Sequence, residues 1–234
     1  MSVVMRGYDA QTSADDMLPA VLTRACVRVL AVAGAGLSIT DQLRVPLGAS
    51  DDLVARAERL QTTLGEGPCL TATAAREPLI ADQDLMATRW PMFHRELLDQ
   101  TPFRSIASLP LNSLDHQRLG ALDLYSTEPN FVPSTRLADI TTNVADPIAG
   151  ILFDPAPAPF QRGAVSSAGL TNPPVTIRMN VWVAVGILIE HATLNNADAL
   201  AALRAYAFSH DMTLEDVATE MSTRRLDPDT LLAA

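Results

Sequence analysis

Cys69 is the residue best placed to do chemistry. It follows the turn-forming run Gly65-Glu66-Gly67-Pro68 and precedes a short helical pattern. A thiol at a helix N-terminus can have a lowered pKa and react with oxidants. The competing reading is a small packing residue, because free cysteines are commonly buried and inert. Cys26 lies beside the apolar stripe of the first predicted helix, which favours packing more strongly. Trp90, His94 and Tyr125 have the side chains that line a small-molecule pocket. Trp90 and Tyr125 fit equally well as core residues with a satisfied polar tip. His94 has no second His or Cys at ligand spacing, so no metal site is expected. Asp115 and His116 fall in a predicted hairpin loop, where solvated charge is the usual role.

No catalytic constellation emerges from these residues. No Ser/His/Asp arrangement is evident. Gly34-Ala35-Gly36 lacks the third glycine of a dinucleotide-binding loop and precedes a strand rather than a helix. All 17 basic residues are arginine. The absence of lysine excludes a Walker A loop, Schiff-base catalysis and covalently held pyridoxal phosphate. The expectation is a chain that is not an enzyme and carries no cofactor.

The elements that position these residues alternate between helix and strand. Ser13 and Asp16 read as a capping signal. Leu18, Val21, Leu22, Ala25, Val29 and Val32 continue as a helical stripe. Leu37–Thr40 and Leu43–Leu47 read as strands joined around Asp41 and Gln42. Ser50 reads as the cap of a helix running to Leu64. A turn at Gly65–Pro68, a short helix and a strand near Leu79–Ala81 follow, then another short helix within 89–103. Residues 104–111 and 118–126 read as a strand pair linked by 112–117. A last helix starts near Ser134, with Leu137, Ile140, Val144, Ile148 and Ile151 on one apolar face.

Composition then shifts. Residues 154–174 hold five prolines with Gly and Ser, the signature of an extended linker. Beyond it only helices are expected. They run over roughly 175–193, then from a cap at Asn195 or Asn196 to His210, then from a capping box of Thr213 with Asp216. Gly186 sits inside the first of these, at a cost of about 0.5–1 kcal/mol relative to Ala. A close packing contact, a partner or a kink is the expected compensation. The apolar run Val181–Ile189 is shorter than the roughly 20 residues of a membrane span. The N-terminus lacks an apolar core of signal-peptide length, and two distant cysteines make no disulfide framework. A cytoplasmic location is expected. The arginine-for-lysine bias, with abundant Ala and Pro, suggests a GC-rich actinobacterial genome.

The first region resembles a GAF domain. The resemblance is carried by TLGEGPCLTATAAREPLIADQ (63–83), RWPMF (89–93), SIASLPL (105–111) and RLGALDLYS (118–126). It implies an antiparallel sheet with helices on its faces, often enclosing a small-molecule pocket, that senses rather than catalyses. The last region resembles an ANTAR domain, a three-helix RNA-binding module of transcription antiterminators. AVGIL (184–188), ADALAALRAYA (197–207) and TLEDVA (213–218) carry that resemblance. Together they imply an α+β sensor over 12–153, a linker over 154–174 and an all-α three-helix module over 175–232. Proteins with this order are expected to form homodimers and to bind a two-stem-loop RNA that prevents transcription termination. No membrane partner is expected.

By that resemblance Arg204 would meet phosphate and Tyr206 would stack on a loop base. Thr213 would donate to phosphate or simply cap its helix. Arg178 and Gly186 complete the set of expected RNA-binding residues. The charge pattern pulls the other way. The whole chain carries a net charge of −10, and residues 172–234 hold four arginines against eight carboxylates. Phosphate neutralisation dominates nucleic-acid affinity. Val185 also stands where the family usually carries lysine. A second reading therefore remains: a diverged module that serves dimerisation or protein contact and binds RNA weakly or not at all.

Overall fold

Side chains alternate between the two faces of a strand, and in this protein the two faces differ in chemistry. The computed structural model describes residues 18–40, 44–112, 118–131, 134–153 and 173–233. These residues fall into two compact units, one within residues 1–62 and 66–156, the other within 63–65 and 157–234.

The first unit opens with helix α1 (Leu18–Leu30), strands β1 (Gly34–Thr40) and β2 (Arg44–Ala49), and helices α2 (Asp52–Leu64) and α3 (Pro68–Ala75). Strand β3 (Leu79–Ala81), helices α4 (Gln83–Arg89) and α5 (Pro91–Gln100), and strands β4 (Ser105–Asn112) and β5 (Arg118–Ser126) follow. Helices α6 (Ser134–Ile140) and α7 (Asp146–Phe153) close it. The five strands make one antiparallel sheet in the order β2-β1-β5-β4-β3.

One sheet face is apolar. Ala35, Leu37, Ala107, Leu109, Leu122 and Leu124 form a buried core with Leu22, Ala25 and Cys26 of α1. Leu137, Ile140, Val144 and Ile148 complete it. On the opposite face the same strands present Gly36, Ser38, Ser108, Asp123 and Tyr125, and α2 and α3 supply the residues bonded to that side. Ser38, Ser108, Asp123 and Tyr125 are all fully buried.

Several local expectations change. The cap of α2 is Asp51, which accepts from Val54 N at 3.0 Å. Ser50 instead accepts the Ala35 N–H of β1 at 3.1 Å. Helix α4 is an addition to the expected elements. It is capped by Asp82, which accepts from Leu85 N at 2.8 Å. The last helix is interrupted by a π-helical turn over Thr141–Ala145, where Asp146 N–H bonds Thr141 O. Pro147 follows immediately and cannot donate to the helical ladder, a common cause of such irregularity. The turn shifts the buried stripe by one residue. Ile151, expected on the apolar face, is 39% exposed, and Leu152 packs against the core in its place. The Ser13–Asp16 capping signal, Asp115 and His116, and most of the 154–174 linker lie outside the described residues.

The second unit contains α8 (Pro173–Ala192), α9 (Asn196–Ser209), α10 (Leu214–Ser222) and a short α11 (Pro228–Leu232) that sequence patterning does not reveal. Val181, Ala184, Val185, Leu188, Ala199, Leu203 and Ala207 are buried, as are Leu214, Val217, Ala218, Met221 and Leu231. Asn195 caps α9 through Asp198 N at 2.9 Å. Thr213 and Asp216 form the expected capping box of α10. The packing role expected of Gly186 is not met within the chain. It is exposed, and a Cβ added there would meet nothing within 4 Å.

Candidate functional site

The polar sheet face carries a buried ionic cluster centred on Arg44. All five guanidinium N–H groups have nearby acceptors. Nε donates to Cys69 Sγ at 3.0 Å. Nη1 donates to Glu58 O at 2.7 Å and Thr62 Oγ1 at 3.1 Å. Nη2 donates to Glu58 Oε2 at 2.5 Å and Asp123 Oδ2 at 3.3 Å.

Local geometry brings these groups together. Glu58, Gln61 and Thr62 stand three and four residues apart, so they share one face of α2. Asp123 and Tyr125 are two apart on β5 and share one face of the sheet. Tyr125 donates to Glu58 Oε1 at 2.6 Å. Gln61 Nε2 donates to Asp123 Oδ2 at 2.9 Å and to the Tyr125 oxygen at 3.3 Å. Gln61 Oε1 accepts the backbone N–H of Cys69 at 3.0 Å. The turn before Cys69 uses two glycines with positive φ, Gly65 at 68° and Gly67 at 141°. A side chain at Gly67 would collide with Gln61, and one at Gly36 would collide with the Glu58 carboxyl. Two polar atoms in this region, Asp123 Oδ1 and Ser108 Oγ, are buried without a partner, and their residues are neighbours in the β4–β5 register.

Burial pushes the Glu58 carboxyl up to about 7, although Arg44 pulls against it. Burial likewise pushes the Cys69 thiol up to about 12, opposed by Arg44 and reinforced by Asp123 and Glu58. Tyr125 rises well above its ordinary value, through burial and then the charges of Glu58 and Asp123. For Arg44, burial favours loss of the proton, but Cys69 and the two carboxylates outweigh it and hold the group firmly cationic. The thiolate, not the thiol, is the reactive form of cysteine. The surroundings of Cys69 therefore suit packing and hydrogen bonding better than oxidant sensing. Cys26 has the same character, buried and pushed up to about 12 by desolvation.

The structure thus unites two of the four residues expected to line a ligand site, Cys69 and Tyr125. Trp90 sits at the junction of α4 and α5 with 6% exposure, and the Arg89 guanidinium lies 5.2 Å from its ring centroid. His94 follows on α5, its Nε2 buried without a partner. The hydrogen bonds of the Arg44 cluster include neither Trp90 nor His94. Arg44, Glu58, Gln61 and Asp123 are members that sequence reasoning misses. The available signal is Asp123 itself, a carboxylate set between Leu122 and Leu124 in a strand.

In the second unit, Arg204 is partly buried on α9, and desolvation lowers its pKa. Tyr206 stacks on His210 with ring centroids 3.9 Å apart. The Thr213 hydroxyl donates to Asp216 Oδ2 at 2.7 Å and accepts from Asp216 N at 3.1 Å. Arg178 lies on α8, but its side chain is outside what the structure describes. His191 pairs with Asp229 at 2.7 Å and Arg225 with Glu220 at 2.8 Å. Val185 is core, 2% exposed. Among the described residues, no helix is long and apolar enough to cross a membrane.

A five-stranded antiparallel sheet flanked by helices fits the GAF fold. The chain belongs to the GAF domain family, whose model matches residues 11–152. Among solved structures it is similar to a domain of a two-component sensor histidine kinase protein from Sinorhizobium meliloti 1021. The identity is 14% over 53% of this chain and 81% of that one, with a TM-score of 0.42. No curated protein matches the chain.

Proposed function

We propose that this chain is a signal-responsive regulator of transcription antitermination. Its GAF unit, over 12–153, receives a signal. Its helical unit, over 175–232, is an ANTAR-type module that binds paired RNA stem-loops as a homodimer. The protein works in the cytoplasm and is not an enzyme. A change in the GAF unit, such as ligand binding, alters the dimer and hence the RNA contacts.

The observation that carries the reading lies in the second unit. Apolar residues from all three segments that carry the ANTAR resemblance lie in the core of this unit. Ala184 and Leu188 come from the first segment, Ala199, Leu203 and Ala207 from the second, and Leu214, Val217 and Ala218 from the third. The motif is therefore spent on joining three helices, as a module of that family requires. Arg204 and Tyr206 lie on the middle helix.

One set of observations favours the diverged-module reading instead. Arg225 and His191 are paired with carboxylates of their own unit, the Thr213 hydroxyl is committed to its cap, and the lysine position of the family is the buried Val185. Gel-shift titration of the full chain against two-stem-loop RNAs, at low and physiological salt, separates the two. Saturable binding that weakens with salt supports the antiterminator. A dimer without such binding leaves the diverged module.

A further inference from the structure

We propose that the GAF unit binds a small monovalent cation of the ammonium type between Asp123 and Ser108, beside the Arg44 cluster. The site concerns the GAF unit alone and does not depend on the RNA reading.

The argument begins with charge. Glu58 accepts on both carboxyl oxygens, Oε1 from Tyr125 and Oε2 from Arg44, as a carboxylate does. Asp123 Oδ2 accepts from Arg44 and Gln61. Among the described residues, Arg44 is the one basic side chain paired with either group. Burial keeps Tyr125 and Cys69 protonated and neutral. Two negative charges therefore face one positive charge where all the residues are buried. An uncompensated buried charge is costly, so the cluster is one positive charge short.

A second observation, independent of that count, gives the place. Asp123 Oδ1 and Ser108 Oγ are buried without a partner, although nearly all buried polar atoms are hydrogen-bonded. The two residues lie directly opposite each other in the β4–β5 register. Side chains so placed have Cβ atoms about 4.5–5.5 Å apart, so one small ion can reach both oxygens. On the other side of Asp123 the neighbour is Gly36, and the Glu58 carboxyl occupies the space over it.

Two oxygens and one missing charge select the ligand. A hard metal ion takes a shell of about six oxygens or more. Among the described residues, no group of three or more His, Cys, Asp or Glu could hold a metal. Ammonium instead brings N–H donors, one for Ser108 Oγ and one for a charge-assisted bond to Asp123 Oδ1. Water would satisfy the same atoms but leave the charge uncompensated. Burial pushes the Glu58 carboxyl up, Arg44 opposes it and the Asp123 charge adds to it. A cation beside Asp123 offsets that last contribution.

The test uses the full chain. Melting curves are recorded in ammonium, sodium, potassium and choline chloride at matched ionic strength, for wild type and Ser108→Ala. The wild-type melting temperature should rise saturably with ammonium, by on the order of 5 °C over choline. Ser108→Ala removes a hydroxyl that has no partner in the protein, and it should lose most of that rise. With 15N-labelled ammonium chloride, the wild type should show ammonium protons that exchange slowly with solvent. Three results overturn the proposal: no rise over choline, as bridging water would give; an equal rise in sodium or potassium; or the full rise in Ser108→Ala. If Ser108→Ala does not fold, the labelled ammonium decides: a protected resonance supports the site and its absence overturns it.

Discussion

The Arg44 guanidinium donates to the Cys69 sulfur at 3.0 Å, and both residues are buried. That contact ties the GEGPC turn to the start of β2. Proximity to a cation would ordinarily favour thiolate, yet burial dominates and pushes the thiol up to about 12. Thiol titration with an aromatic disulfide should therefore find neither Cys26 nor Cys69 reactive in the native chain. Both should react once the chain is unfolded. Fast reaction of Cys69 in the native chain would restore the oxidant-sensing role.

Arg44 balances two carboxylates, so its removal leaves them uncompensated. Arg44→Met should destabilise the first unit by about 3–5 kcal/mol, the usual cost of breaking a buried pair from one side. Adding Glu58→Gln should recover part of that loss, because the two sites are coupled. Urea denaturation of both single variants and the double variant checks the non-additivity.

Gly36 leaves room for the Glu58 side chain. A Cβ there would collide with the Glu58 carboxyl. Gly36→Ala should cost about 1–3 kcal/mol, the range for overpacking a filled interior. A loss well below this in the same denaturation assay would mean that Glu58 can withdraw freely.

The Thr213–Asp216 capping box starts α10. Thr213→Ala should lower stability by about 1 kcal/mol, read from thermal unfolding followed by circular dichroism. An unchanged melting curve with abolished RNA binding would instead mark Thr213 as a phosphate ligand.

The sheet is legible in the sequence because its apolar face is regular. Leu37, Leu109, Leu122 and Leu124 alternate with smaller or polar residues, and the GAF resemblance supplies the helices around them. Short elements without periodicity, α4 and α11, are not legible, and the π-helical turn displaces Ile151 from the stripe that a 3.6-residue period assigns. The site is half legible. Cys69 and Tyr125 stand out by type, but Glu58 and Gln61 are residue types usual on the solvated side of a helix. The buried face of the helix is mixed: Val54 and Ala57 are buried together with Glu58 and Gln61, while Leu53 is 45% exposed. A hydrophobicity pattern cannot show that polar groups face inward when their partners are distant in sequence. Arg44 lies 14 residues before Glu58 on β2, and Asp123 lies 65 residues after it on β5.

Filter binding over a salt series reads out the proposed RNA recognition by the second unit. Saturable binding of a two-stem-loop RNA by the proposed dimer is expected, weakening steeply with salt. Arg204→Ala should reduce the log–log salt slope by about 1 for each phosphate that the arginine neutralises, with helical content unchanged. Binding that is absent at low salt, or a slope unaffected by Arg204→Ala, would contradict it.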